Sequence, residues 1–133
     1  MNIIKKIGLA VINDHQLLVV RKTNTKKFLL PGGKVDGMES DPECIEREIG
    51  EELNCKVETN SLKFIGEFTD VAANEPNTLV TVKLYLGEIL GSMRPSREIE
   101  EIKWFDPKVH DVSDLADSIK NKILPCLLEL KYL

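Results

Sequence analysis

Residues Gly33 to Cys55 read GKVDGMESDPECIEREIGEELNC, and this stretch decides how the rest of the chain is read. Its second half carries the period of an amphipathic helix: Ile45, Ile49 and Leu53 recur every four residues and form one apolar stripe. Ser40 is a good N-cap, and Glu43 three residues later completes a capping box. Pro42 falls in the first turn, where its missing N–H would have no partner anyway. The spacing predicts a helix over 41–53, ended by Asn54. Just upstream, Pro31-Gly32-Gly33 allows backbone angles that other residues resist and lets main-chain groups approach a ligand closely.

Glu48, Glu51 and Glu52 stand at i, i+3 and i+4 and share one face of this helix. Like charges at that spacing cost a helix roughly 0.2–0.5 kcal/mol per pair. A divalent cation held between them removes the cost. Hard ions such as Mg2+ and Mn2+ prefer oxygen ligands of this kind, keep several waters and share phosphate oxygens with the protein. A solvated acidic face is the plain alternative for three glutamates on an arbitrary helix. The surroundings favour the metal: Arg47 precedes the cluster, where it can pair with Glu51 at i+4 or reach back to Glu39, and a glycine-rich loop leads into the helix.

Outward from this helix the chain alternates strands and helices. Residues 6–12 and 16–22 read as a hairpin joined by Asn13-Asp14-His15. Leu17 to Val20 are continuously apolar, as in a strand buried on both faces. Further strands are expected at 62–69, 79–90 and 100–105, with a loop at 70–77 and a last helix over about 117–130. Pro125 lies inside that helix and should kink or divide it. The order predicts an α+β fold: a central mixed β-sheet in a three-layer α/β/α sandwich, one domain spanning residues 1–133.

Composition narrows the function classes. With 133 residues, 42% of them apolar, the chain can build a real core. A net charge of −4 argues against a broad basic surface for extended nucleic acid, while leaving room for a small anion held by a few local cations. The apolar run 7–12 after Lys5 and Lys6 is short and lacks a small-residue cleavage site, and no stretch reaches the ~18 apolar residues of a membrane helix. The expected compartment is the cytosol. Cys44, Cys55 and Cys126 form no C-x-x-C pair and sit among apolar residues, so packing is the expected role. His15 and His110 belong to no metal or catalytic motif.

Gly33, Glu39, Arg47, Glu48, Ile49, Glu51, Glu52 and Cys55 are in register with the signature of the Nudix family, and the chain resembles MutT-like members of it. Six fixed residue types at these spacings arise by chance on the order of once in 100,000 chains. The preceding Leu30-Pro31-Gly32-Gly33 resembles the family's entry loop. One position departs from the pattern: the late glycine is Asn54 here. Asn tolerates a left-handed helix end better than any residue except Gly, so the departure should leave the chemistry intact.

The resemblance implies a pyrophosphohydrolase that cleaves a nucleoside diphosphate linked to another group with the help of Mg2+ or Mn2+. A nucleoside triphosphate or related small nucleotide is the first expectation for the substrate. By similarity, the metal ligands would be Glu48, Glu51, Glu52 and the Gly32 carbonyl, with Glu98 a further candidate. Glu39 would orient Arg47 or support the base. Glu48 is the first choice for general base and Glu98 the second. Arg21, Lys22, Gly33 and Lys34 would face substrate phosphates. Trp104 and Phe105 read as core rather than as a nucleobase platform. Asp111, Asp114 and Asp117 would read a base edge or cap a helix; Asn74 and Glu75 would border the pocket or form a turn. No membrane partner is expected, and a homodimer is compatible with the reading. The competing function is a non-catalytic nucleotide-binding or regulatory module on the same fold, which would be expected to have lost acidic residues of the helix.

Overall fold

The computed structural model describes residues 2–133. Strand β1 (Asn2–Ala10) runs parallel to β6 (Thr78–Leu90) and lies between it and the short β4 (Gly32–Gly33). Strand β5 (Lys56–Val71) pairs antiparallel with β6 and forms the outer edge. A second sheet places β3 (Gln16–Lys22) between β2 (Ile12–Asn13) and β7 (Ile99–Phe105), all antiparallel. The main-chain bond from Leu18 N to Val11 O, and the segment 29–33 that bonds Val20 through Leu29 and Leu9 through Pro31, link the two sheets.

Helices cover both faces of the linked sheets because their strands alternate apolar side chains to each side. Ile7, Leu9, Leu18 and Val20 pack beneath α1 (Asp41–Leu53), whose stripe Ile45, Ile49 and Leu53 is fully buried. Ala10, Leu17, Val19, Leu84 and Phe105 meet Ile119, Ile123 and Leu127 on the other face. Leu17 to Val20 are thus buried from both sides, as their unbroken apolar run requires.

Helix α1 has the expected bounds and caps. The Ser40 hydroxyl accepts from Glu43 N, and the Glu43 carboxylate accepts from Ser40 N. Asn54 ends the helix at φ 57° and ψ 34°, the left-handed conformation anticipated for that position. The last helix also begins where expected, but Pro125 changes it in a specific way. Residues Ile119–Ile123 form a π-turn, with Leu124 N donating to Ile119 O, before α2 (Leu124–Glu129) resumes the α-helical pattern. Proline has no N–H to continue the ladder, and the wider turn absorbs the irregularity.

Several boundaries differ from the sequence reading, and the expected strand 6–12 is split after Ala10, so that only Ile12–Asn13 pairs with β3 in the hairpin. Strand β1 begins at Asn2 rather than Lys6, because parallel pairing with β6 holds its polar start. Strand β5 begins at Lys56 rather than Leu62; register shifts between Glu58 and Lys63 and between Phe64 and Gly66 interrupt the alternation from which strands are recognised. Asp70 and Val71, expected in a loop, still pair with Val80 and Leu79. Among the described residues no helix is long and apolar enough to cross a membrane.

Candidate metal and phosphate site

The glycine loop, the carboxylate face of α1 and the segment before β7 converge on one open cleft of about 430 Å3. Its walls include Gly32, Gly33, Lys34, Arg47, Glu48, Glu52 and Glu98, together with Lys6, Lys22 and Glu75. Both glycines are required by contact distance. A side chain on Gly32 would strike the Ile7 carbonyl oxygen at 2.0 Å, and the residue sits at φ +143°. A Cβ on Gly33 would lie 2.5 Å from Glu48 Oε2.

Glu98 reaches the cleft because the segment 91–98 folds back over the end of α1. Arg94 N donates to Leu53 O and Ser96 N to Glu52 O, which satisfies two carbonyls that the helix terminus leaves open. The Asn54 side-chain amide donates to Arg94 O. Thr23 N then donates to Glu98 O and fixes the approach to β7.

Arg47 is the hub of the carboxylates. Its Nε lies 2.7 Å from Glu39 Oε2 and its Nη2 3.0 Å from Glu39 Oε1. Its Nη1 bonds Glu48 Oε1 at 2.6 Å and approaches Glu51 Oε2 at 3.3 Å. Its Nη2 also donates to Lys34 O, which ties the hub to the glycine loop. These bonds, led by those to Glu39, raise the arginine's pKa further, so it stays charged at every relevant pH.

Glu52 is different in kind. Only 3% of it is exposed, and Gly32 N donates to its Oε1 at 3.0 Å. Among the described residues it has no ion pair. Burial pushes its pKa up to about 8, against the partial relief of the Gly32 hydrogen bond, and Glu48 adds repulsion. Burial also raises the pKa of Glu48. A buried carboxylate without a cation is costly.

This donor set fits a hard divalent ion. It offers carboxylates at the wall of an open cleft and a buried glutamate lacking a counter-charge. Among the described residues no three acidic groups are already drawn together as a ligand set. Glu48, in the cleft wall, is engaged by Arg47 instead, so ligation requires that carboxylate to give up the guanidinium.

Other candidates fall outside the cleft. Glu51 is partly exposed and held by Arg47 at its rim, and Glu39 is held on the far side of Arg47. Arg21 does not line the cleft. It bridges Glu100 and Glu101 across the β3–β7 pair at 2.8 and 3.1 Å, next to the register shift between Arg21 and Lys22. Alternation along β3 points Lys22, on the face of Val20, toward the cavity and Arg21 to the opposite face. Asp111 accepts from Ser113 N as a cap, and Asp117 pairs with Lys120. Phe105 is core and Trp104 packs partly buried against the α1 cluster. His110 accepts from Asp106 N, and the three cysteines are free.

Beside the cleft lies an apolar pocket between β1, β6 and the π-turn, walled in part by Leu29, Leu30, Val82 and Ile123. It is closed down to about 40 Å3, little more than the space of one water. A Cβ on Gly8 would lie 3.0 Å from Val82 Cγ1 and 3.2 Å from Leu30 Cδ1, so these two side chains meet over a glycine floor. Sequence reasoning missed Lys6 and Ile4 at this junction. The signal available was period 2: Ile4, Lys6, Gly8 and Ala10 share one strand face, and Lys6 is the only charge on it.

The NUDIX domain family model matches residues 4–126. The chain belongs to the NUDIX domain family. A MutT-like protein of Streptomyces ambofaciens is 28% identical over 100 residues, covering 75% of this chain and 61% of that protein, so the match spans about three-fifths of the relative's length. The Nudix fold is shared with solved structures at lower identity. The E. coli ORF135 protein superposes with a TM-score of 0.75 at 17% identity, covering 98% of this chain and 92% of that one. A MutT protein from Methanosarcina mazei Go1 gives 0.74 at 21% identity, covering 98% and 96%. The segment that aligns the chain with the Nudix signature supplies Gly33, Lys34, Arg47, Glu48 and Glu52 to the walls of the cleft.

Proposed function

We propose that this Nudix chain is a divalent-metal-dependent pyrophosphohydrolase acting on a nucleoside diphosphate linked to another group, a nucleoside triphosphate or similar small nucleotide first among them. The observation that carries the reading is Glu52: a buried carboxylate with no ion pair, aligned with Glu48 and Glu98 on one open cleft. A bound divalent ion supplies polarisation of phosphoryl oxygens, charge for the leaving group and an activated water. Glu48 and Glu52 would hold it, with Glu98 and the Gly32 carbonyl as further ligands and Glu51 close by at the rim. Glu48 would take the proton of the attacking water, with Glu98 the next candidate. Arg47, itself gripped by Glu39, holds Glu48 in reserve through their 2.6 Å bond, which the carboxylate would exchange for the ion. Lys22 and Lys34 meet the phosphates beside the Gly33 backbone. We place the chain in the cytoplasm as one domain over residues 1–133, with a small nucleotide as its partner.

The test is release of phosphate or pyrophosphate from a panel of nucleotides with Mg2+ or Mn2+, each followed by chelation. The expected result is turnover that chelator abolishes and added ion restores. No turnover of any diphosphate-linked nucleotide would sink the proposal. Glu52→Gln should lower kcat/KM by at least about 100-fold, on the scale of removing one electrostatic contributor, with the fold retained. Normal activity in that variant would remove Glu52 from the site.

A further inference from the structure

On the sheet face that α1 covers, a second cavity opens beyond the start of the helix. Lys5 and Ile7 of β1 point to this face. Thr81 and Lys83 of β6 stand opposite them, and Thr69 and Glu67 of β5 stand opposite those in turn. The helix start is pinned at the border: Asp41 Oδ2 accepts from the Tyr85 hydroxyl at 2.6 Å and lies 3.1 Å from Lys83 Nζ. Lys34 and Val35, leaving the glycine loop, wall one side. The result is an open groove of about 530 Å3, larger than the carboxylate cleft and adjoining it at Lys6, Lys34 and Val35. Its size falls in the range of about 300–1,000 Å3 that small-molecule sites occupy.

The charges of this groove are unevenly matched. Lys83 is answered by Asp41, but Lys5 and Lys34 have no ion pair among the described residues. Two uncommitted ammonium groups on one cavity, in a chain whose net charge is −4, favour an anion there. Among the described residues the walls hold no aromatic ring, so a second nucleobase would find nothing to stack on. They do hold the Glu67 carboxylate and the Thr81 hydroxyl, which lies 2.8 Å from that of Thr69, and both suit the hydroxyls of a sugar. We propose that the groove receives the group linked to the nucleoside diphosphate, and that this group is a sugar-sized moiety ending in a phosphate held by Lys5 and Lys34. The linkage to a nucleotide rests on the hydrolase reading; binding of the sugar phosphate does not. Lys34, common to both cavities, lies between the phosphates of the cleft and the distal one. Lys5 belongs to the groove alone and is the residue that sets the preference.

The experiment has two arms, each run on wild type, Lys5→Glu, Lys5→Met and Lys5→Arg. Lys5 is exposed, so the variants should fold. In chelator, amide resonances are followed as ribose 5-phosphate or ribose is added. Wild type should show saturable shifts at 5–7 and 81–83 with ribose 5-phosphate and none with ribose. Lys5→Glu should abolish them, Lys5→Met should weaken binding, and Lys5→Arg should keep most of it. In turnover with Mg2+, ADP-ribose is compared with ADP-ribose 1″-phosphate, which differs only by a phosphate on the distal sugar. In wild type the phosphorylated compound should have a KM at least about tenfold lower, the scale of one hydrogen bond to a charged group, with kcat within about twofold. In Lys5→Glu and Lys5→Met the ratio of the two KM values should fall toward one. Equal KM values in wild type would overturn the assignment. So would absence of the ribose 5-phosphate shifts in wild type, or their persistence in Lys5→Glu. Dimerisation through this face, where Ile3 and Val71 are exposed one row further out, would overturn it too, read as concentration-dependent shifts of the same residues without ligand. Ribose 5-phosphate binding that depends on Lys5, with neither nucleotide hydrolysed, would remove the hydrolase reading and leave the phosphate site standing.

Discussion

The two glycines that lead into the cleft illustrate how differently neighbouring residues can matter. At Gly32 the obstacle to a side chain is backbone, the Ile7 carbonyl at 2.0 Å, and the positive φ adds strain. At Gly33 the obstacle is the mobile end of Glu48. Gly33→Ala should therefore melt close to wild type, yet lose at least about tenfold in activity as Glu48 is pushed aside, a misplacement of the kind that costs enzymes such factors. Gly32→Ala should lower the melting temperature. A melting comparison with activity on the same samples distinguishes the two; parallel losses of both properties in Gly33→Ala would contradict the assignment of Glu48. Glu48 and Glu52 were legible in the sequence because glutamates four residues apart on a helix share one face, whereas Glu51, read as part of the same cluster, is held by Arg47 at the rim. Lys6 was not, since a lysine at the start of a strand reads as a frayed polar end until the parallel partner β6 is known to hold it.

At the scale of elements, α1 was readable almost to the residue because its signals are local: a capping box at one end, a four-residue stripe and an αL asparagine at the other. Strand β5 was not, because its bulges are answered by β6, over 25 residues away in places, and no local pattern records that pairing. The same helix supplies two stability predictions. A Cβ added at Gly50 meets nothing nearer than the Cys55 carbonyl oxygen at 3.9 Å. Gly50→Ala should then stabilise the protein by about 0.5–1 kcal/mol through backbone entropy alone, read as a higher denaturant midpoint at unchanged slope. Asn54→Ala should destabilise by roughly 1 kcal/mol, the cost of forcing alanine into the left-handed region, and it also severs the bond to Arg94 O that holds the 91–98 segment. Because that segment carries Glu98 into the cleft, the variant should lose activity beyond what its stability explains.

For the molecule as a whole, the cleft should leave a signature in how stability responds to pH and metal. A carboxyl group whose pKa rises from 4.5 in the unfolded chain to about 8 in the folded one binds more protons folded than unfolded across that interval. Stability of the metal-free protein should therefore fall as pH rises from about 5 to 8. The fall is at most a few kcal/mol, since each tenfold difference in proton affinity between the two states is worth about 1.4 kcal/mol. Glu39, Glu43 and Asp111, whose pKa values are lowered by their hydrogen bonds, act in the opposite sense and only below that window, where acid protonates them. Urea titrations in chelator across this range should show the decline, Glu52→Gln should flatten it, and saturating Mg2+ should flatten it in wild type. A flat metal-free profile would mean that Glu52 ionises normally.

Arg47 adds a consequence for the order of events. Its grip on Glu48 means that a bare ion must first win a carboxylate from a guanidinium, and the buried Glu52 must shed a proton at neutral pH. Free ion thus encounters a reluctant protein. An ion already chelated by a polyphosphate arrives with part of its coordination sphere filled and with anionic oxygens for the lysines to greet. If the chain is the metal-dependent nucleotide hydrolase proposed above, the chelate rather than metal followed by nucleotide should be the productive species, and rates should track the concentration of the magnesium–nucleotide complex.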